Sequence, residues 1–199
     1  QIPIYYNHKN TGRPFKASEK YTSKYLDIEN TPLYPFGHGL SYTTFAVENL
    51  KLGKLEILPN EQLKVSVDVR NTGKVAGDEV VQLYIHDLVA SVTRPVKELR
   101  GFRRVTLLPG ARQTVEFTLE RKDLEFLERD LEPVLAPGEF QVFVGGSSES
   151  GVQSTFSVVE RYSPPRAKAA VSTIPVEPPP AAPVPTAAVS PQDDAFLED

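Results

Sequence analysis

Between Phe45 and Val159 apolar and polar residues alternate with a period of two. Val65, Val67 and Val69 share one face of an extended segment, while Lys64, Ser66, Asp68 and Arg70 share the other. Val81, Leu83 and Ile85 repeat the arrangement, followed by Val115, Phe117 and Leu119, then Phe140, Val142 and Val144, then Phe156 and Val158. With Phe45–Val47 and the stretch from Leu99 to Leu107, the pattern predicts about seven strands, half-buried as in a two-layer sheet structure. Asn71-Thr72-Gly73, Pro109-Gly110, Pro137-Gly138 and Gly145-Gly146 punctuate them as turns. Short alternating strands separated by turns read as an antiparallel β-sandwich of the immunoglobulin-like type. Only Arg121–Arg129 suggests a helix, of one or two turns, crossing between the sheets.

The residues on either side differ in texture. Residues 1–44 are rich in tyrosine, asparagine and glycine and have poor periodicity, so they read as one short strand at most and then a long ordered loop. Loops of that length hold their shape when they are functional or packed on a partner surface, and Tyr34, Phe36, Tyr42 and Phe45 supply apolar area for docking. Residues 161–199 turn to Pro, Ala, Val, Ser and Thr, and half of the 18 prolines lie between Pro164 and Pro191. Such a composition is expected to be disordered and locally polyproline-like. The domains expected are therefore 1–44, 45–160 and 161–199.

Composition removes several classes of function. A net charge of -4 gives no attraction to polyanions, and Arg100, Arg103 and Arg104 form too small a basic spot for nucleic acid. No apolar run approaches the ~18 residues of a membrane span, so no membrane insertion is expected. The chain has no cysteine, which excludes disulfides and thiolate metal sites. It begins at Gln1 and has no methionine, and so reads as part of a longer product.

Chemistry-bearing motifs are sparse. His8, His38 and His86 are far apart and lack paired acids, and alternation places His86 on the outer surface of its strand. Glu116 and Glu120 also alternate outward, and the acids from Asp123 to Glu132 are interleaved with basic residues, as on a solvated surface. No carboxylate pair suited to glycosidic chemistry is expected here. Asn7, Arg13 and Asp27 are the polar residues of interest in the leading segment, where Tyr5-Tyr6-Asn7-His8 precedes Asn10-Thr11-Gly12-Arg13-Pro14. Donors beside an aromatic platform would suit a sugar; alternatively, Asn10 and Arg13 satisfy buried carbonyls at a domain junction. Tyr84 and Phe143 alternate outward and are candidate platforms for a carbohydrate, or fillers of a second layer against a neighbour.

Three longer motifs carry a resemblance. Pro35-Phe36-Gly37-His38-Gly39-Leu40-Ser41-Tyr42-Thr43-Thr44-Phe45 resembles the junction entering the fibronectin type III-like domain of glycoside hydrolase family 3. Asn71-Thr72-Gly73 with Gly77-Asp78-Glu79-Val80-Val81-Gln82-Leu83-Tyr84-Ile85 is similar to its next signature. Arg94-Pro95-Val96-Lys97-Glu98-Leu99-Arg100-Gly101-Phe102, followed by Leu108-Pro109-Gly110, is similar to the third. Gly12-Arg13-Pro14 and the tyrosines before it resemble the end of the family's second catalytic domain, an α/β domain. The likeness covers residues 1 to about 160 and points to bacterial β-glucosidases of the periplasmic type.

The resemblance implies a parent enzyme that hydrolyses terminal β-D-glucosyl residues with retention, without metal or organic cofactor, in the periplasm or outside the cell. Its catalytic aspartate and glutamate belong to motifs that this chain lacks, so no catalytic residue is assigned. The chain is expected to be inactive alone and to act as an accessory domain. Its partners would be the parent's catalytic domains and, through them, a β-glucoside or oligosaccharide. Asn7 and Arg13 are the candidate substrate-loop residues. The alternative is an independent β-sandwich module that binds polysaccharide or protein. In the motifs, Asn71 and Gly73 are expected to take positive φ in a tight turn, Gly77 to relieve crowding, and Gly101 to mark a bulge or a close backbone approach.

Overall fold

The computed structural model describes residues 2–10, 12–16 and 18–160. The tail expected to be disordered lies outside the described residues. Ten strands and one helical turn follow in order: β1 (Phe45–Leu52), β2 (Glu56–Ile57), β3 (Leu63–Asn71), β4 (Gly77–Asp87), β5 (Glu98–Leu107), β6 (Arg112–Leu119), α1 (Arg121–Leu124), β7 (Phe126–Leu127), β8 (Pro133–Val134), β9 (Gly138–Ser147) and β10 (Ser150–Val158). The alternating segments become the seven long strands. The two-residue strands β2, β7 and β8 are too short to show a period.

The long strands form two layers. One sheet has the order β1-β3-β6 and the other β2-β10-β9-β4-β5, while β7 and β8 make a separate ribbon. All pairings are antiparallel except the short one between β2 and β10. Register places like with like: Val65 opposite Phe117 and Val67 opposite Val115 in one sheet, Leu83 opposite Val144 and Ile85 opposite Val142 in the other. These inner faces close on each other around Phe140 and Phe156, whose rings stack at 5.4 Å. Each such buried side chain contributes about 1.5–3 kcal/mol relative to its exposed state, which makes the core the main source of stability.

Between the layers the chain crosses at Asn71. Its backbone N–H donates to Ala111 O (3.0 Å), and its carbonyl accepts from Gly110 N (3.0 Å). Its side chain is fully buried: Oδ1 accepts from Thr43 Oγ1 (2.7 Å) and Gly73 N (3.0 Å), and Nδ2 donates to Val75 O (2.8 Å) and Leu107 O (2.9 Å). The positive φ expected of Asn71 and Gly73 is not found; among the described residues the non-glycine ones that adopt it are Asn49 and Leu131. Asn71 instead ends β3 as a hydrogen-bond hub, and Gly73 is required for space, since a Cβ there would lie 2.1 Å from Thr43 Oγ1. Gly77 has the crowding expected, with Thr43 Cγ2 2.7 Å from its virtual Cβ.

One further expectation changes, and the short helix expected after Arg121 is found. Gly145-Gly146 is not a turn but part of β9, where the Ser150 and Gly151 backbone packs too closely for any side chain at Gly145. The helix is one turn, Arg121–Leu124, with the Asp123 carboxylate accepting from Glu120 N at 2.8 Å. Phe126 ends it by entering β7.

Candidate functional site

The described residues before β1 form turns and bends, and Lys9 makes an isolated antiparallel bridge with Pro95. This segment is seated on the outer face of the five-stranded sheet. Alternation puts Gln82, Tyr84 and His86 of β4 on that face, with Phe102 of β5 and Phe143 of β9 beside them. Tyr6 inserts between Phe36, on which it stacks at 4.4 Å, and Tyr84, which it meets edge-on at 5.7 Å. The Tyr84 hydroxyl donates to Gln82 Oε1, and Gln82 Nε2 donates to Gly146 O at 2.7 Å. Burial pushes the Tyr84 phenol up to about 12. Gly37 (φ +80°) permits the seating: its virtual Cβ would fall 2.3 Å from Gln82 Nε2.

Tyr84 is thus not an exposed platform, being 1% accessible. Alternation identified its face correctly, but Tyr6, backed by Phe36, lies against it. His86 is likewise half-buried rather than a surface histidine, and burial lowers its pKa despite the hydrogen bond it donates to Gln141. Phe143 is partly covered by Lys97, whose Nζ lies 4.8 Å from the ring centre.

Three backbone contacts complete the seam. Val96 N donates to His8 O at 2.9 Å, next to the Lys9–Pro95 bridge, and Ser148 N donates to Phe36 O at 2.9 Å. Lys97 Nζ donates to Ser148 O, which couples the β9–β10 turn to the β4–β5 connection. Beside the seam, Arg94 and Arg100 both reach Glu98 Oε2 at 2.7 Å, and the Arg94 guanidinium lies 5.0 Å from the Phe126 ring centre. The sequence suggested a basic spot at Arg100, Arg103 and Arg104. In the fold Arg100 serves Glu98, Arg103 lies over Phe117, and Arg104 pairs with Asp78.

Asn7 and Arg13 both stand exposed. Arg13 lines a cavity of about 530 Å³ with Gly12, Pro14, Lys16, Glu19, Tyr21 and Thr22, and its carbonyl accepts from Ser23 N at 3.1 Å. Asn7 is not part of that lining and follows the half-buried wedge of Tyr6. Asn10 and Asp27 are exposed too, Asp27 beside Phe15 and Tyr25 in a separate cavity of about 690 Å³. A third cavity, of about 590 Å³, is walled by Tyr5, Tyr6, Tyr34 and Phe36 together with Ile2 and Pro32.

Carboxylates with raised pKa values are Glu79 and Asp87, each through burial. They lie eight residues apart on β4, about 26 Å at ~3.3 Å per residue, far beyond the separation of a glycosidase pair. Asp68 and Asp78 have lowered values because they accept hydrogen bonds, from Asn49 and Thr114 and from Thr106 and Arg104 respectively. Among the described residues no group of three or more metal-ligating side chains converges, and no helix is long and apolar enough to cross a membrane.

Comparison with known proteins gives this architecture a family. Residues 79–148 match the fibronectin type III-like domain. The chain is 45% identical over 161 residues to a periplasmic β-glucosidase of Salmonella typhimurium, a match that covers 80% of this chain and 21% of that protein. It is 46% identical over 158 residues to a β-xylosidase of Formosa agariphila, covering 79% and 21%. The solved structure of a Listeria innocua β-glucosidase in complex with glucose superposes with a TM-score of 0.75 at 44% identity, covering 81% of this chain and 22% of that one. The chain therefore spans about a fifth of the length of the relatives it matches. The match is to glycoside hydrolase family 3 enzymes, over the region that carries their fibronectin type III-like domain.

Proposed function

We propose that this region is the accessory part of a retaining β-glucosidase and holds the catalytic domains in place without contributing the catalytic carboxylates. The observation that carries the reading is the distribution of exposed apolar side chains. More than half of the large ones among the described residues fall between Ile4 and Tyr42, including Tyr21, Leu26, Leu33, Leu40 and Tyr42. A soluble surface seldom tolerates that density unless it is an interface, and the relatives have four-fifths of their length to supply the partner. On this reading residues 1–44 complete the neighbouring catalytic domain, residues 45–160 are the sandwich that carries it, and the Tyr5–Pro14 loop brings Asn7 and Arg13 toward the substrate. The substrate class is a terminal β-glucoside, and the setting is periplasmic or secreted, as the Salmonella relative's name supports.

Activity and binding assays on the purified 199-residue chain test this. No turnover of a chromogenic β-glucoside and no retention on cellulose or xylan is expected. Turnover would overturn the accessory reading, and retention would favour the independent binding module.

A further inference from the structure

The connection from β4 to β5, residues 88–97, is long for a hairpin loop and has no regular structure of its own. Its last residues nevertheless offer an extended edge to which the leading segment pairs, through the Lys9–Pro95 bridge and the Val96 N–His8 O bond. Something must hold that edge in place. Glu98 does so from the first position of β5, with Oε2 accepting from Arg94 within the connection and from Arg100 within the sheet, both at 2.7 Å.

Arg100 reaches Glu98 because residues two apart on a strand share a face. Leu83 pairs with Gly101 and Tyr84 with Leu99, so Arg100 is also the extra, unpaired residue of a bulge. Gly101 itself packs on Phe117, 3.1 Å from its virtual Cβ, which fixes the bulge against the core. Arg94, 90% buried in its side chain, is fixed from its other side by the Phe126 ring. A chain of contacts thus runs from the core through Arg100, Glu98 and Arg94 to Pro95 and Val96, and from there to His8 and Lys9.

We infer that Glu98 is a positioning residue: through Arg94 it sets the edge on which the Tyr5–Pro14 loop rests, and so determines how Asn7 and Arg13 are presented to substrate. The inference rests on the reading above, that this loop approaches the substrate. Glu98→Gln keeps the shape but removes the charge that Arg94 and Arg100 share, leaving Arg94 with Asp87 nearby and no link to Arg100, so the connection loosens. The hydrophobic core is untouched.

Two measurements test it. Amide exchange by NMR on the 199-residue chain reads the anchor: in Glu98→Gln, Val96 N–H should exchange about tenfold faster while Leu83 and Val142 keep their rates. Kinetics on the full-length enzyme carrying this region read the consequence: KM for a β-glucoside should rise about threefold to tenfold with kcat within about twofold. Arg13→Ala in the same enzyme is the reference for the loop itself, and it should also raise KM. If Glu98→Gln speeds Val96 exchange and only Arg13→Ala moves KM, the positioning role is wrong and the substrate-loop reading stands. If neither variant moves KM, the loop does not serve substrate and both ideas fall. Unchanged Val96 exchange removes Glu98 as the anchor whatever the kinetics show. Should Glu98→Gln fold poorly, Arg94→Lys, which keeps the charge but loses the planar fork and the ring contact, gives the same readouts.

Discussion

Replacing Asn71 by alanine should cost this region about 3–5 kcal/mol, several times the usual effect of losing one hydrogen bond. The amide makes four bonds, and two of them, with Thr43 Oγ1 and Leu107 O, are fully buried. The other two, with Gly73 N and Val75 O, are partly buried. A net bond is worth roughly 0.5–1.5 kcal/mol, and a buried partner left unsatisfied costs about 1–3 kcal/mol. Two buried and two half-buried losses together reach the range given. Alanine also frees Thr43, the residue at which the leading segment enters β1. Urea unfolding followed by tyrosine fluorescence reads the effect, since the chain has eight tyrosines and no tryptophan. A loss below about 1 kcal/mol at unchanged m would refute the hub. Asn71→Asp separates hydrogen bonding from volume: it keeps an acceptor for Thr43 and Gly73 but points a buried carboxylate at the Val75 and Leu107 carbonyls. Burial and those dipoles raise its folded pKa above the unfolded value. The folded state then binds the extra proton, so stability falls as pH rises from the unfolded to the folded pKa. Asn71→Asp should therefore be closer to wild type at pH 4 than at pH 7.

Three other substitutions have defined outcomes. Gly73→Ala must displace Thr43 and should lose about 1–3 kcal/mol in the same urea titration. Phe140→Ala removes one of the two stacked rings at the core and should lose about 3–5 kcal/mol; a loss under about 2 kcal/mol would mean that the sheets collapse into the space. Tyr84→Phe should cost about 1 kcal/mol at pH 7 through the lost bond to Gln82. Because the folded phenol is pushed up to about 12 and an unfolded tyrosine ionises near 10, wild type should lose stability as pH rises from about 10 to about 12, and Tyr84→Phe should lack that part of the slope.

The sandwich was legible because alternation is a direct consequence of strand geometry. Val65, Val67 and Val69 announce their face in the sequence, and their partners across the core do the same. What covers the other face was not legible. Tyr84 alternates outward as read, but the ring that meets it belongs to Tyr6, backed by Phe36, far upstream in a segment without periodicity. The same two residue types also served two different ends. Asn-Thr-Gly suits a positive-φ turn, yet here Asn71 is a buried donor and acceptor and Gly73 is a steric necessity, and only the position of Thr43 distinguishes the two. Strands β2, β7 and β8 escaped because two residues cannot show a period. The Arg94–Glu98 spacing was visible, but not that Arg94 and Arg100 would meet at one Glu98 oxygen. Composition drew attention to Asn7 and Arg13, and the fold leaves both exposed on a loop whose neighbours are firmly held.

On the accessory role proposed above, that contrast says what the sandwich contributes. The outer face of the three-stranded sheet satisfies itself: Asp68 accepts from Asn49 and Thr114, and Arg112 bonds Glu48. It gives a partner little to grip. The five-stranded sheet instead commits a tyrosine wedge, a backbone bridge and two main-chain hydrogen bonds to the leading segment, which itself leaves Tyr21, Leu26 and Tyr42 in solvent. Grip on one side and exposed apolar surface on the other are what a relay needs. A segment held only by its apolar side chains can slide, because hydrophobic contact has no direction. One also tied by main-chain hydrogen bonds has its register fixed. On the proposal made here, the sandwich lends the catalytic neighbour that register, and the seam at Tyr6, Val96 and Ser148 is where it is transferred.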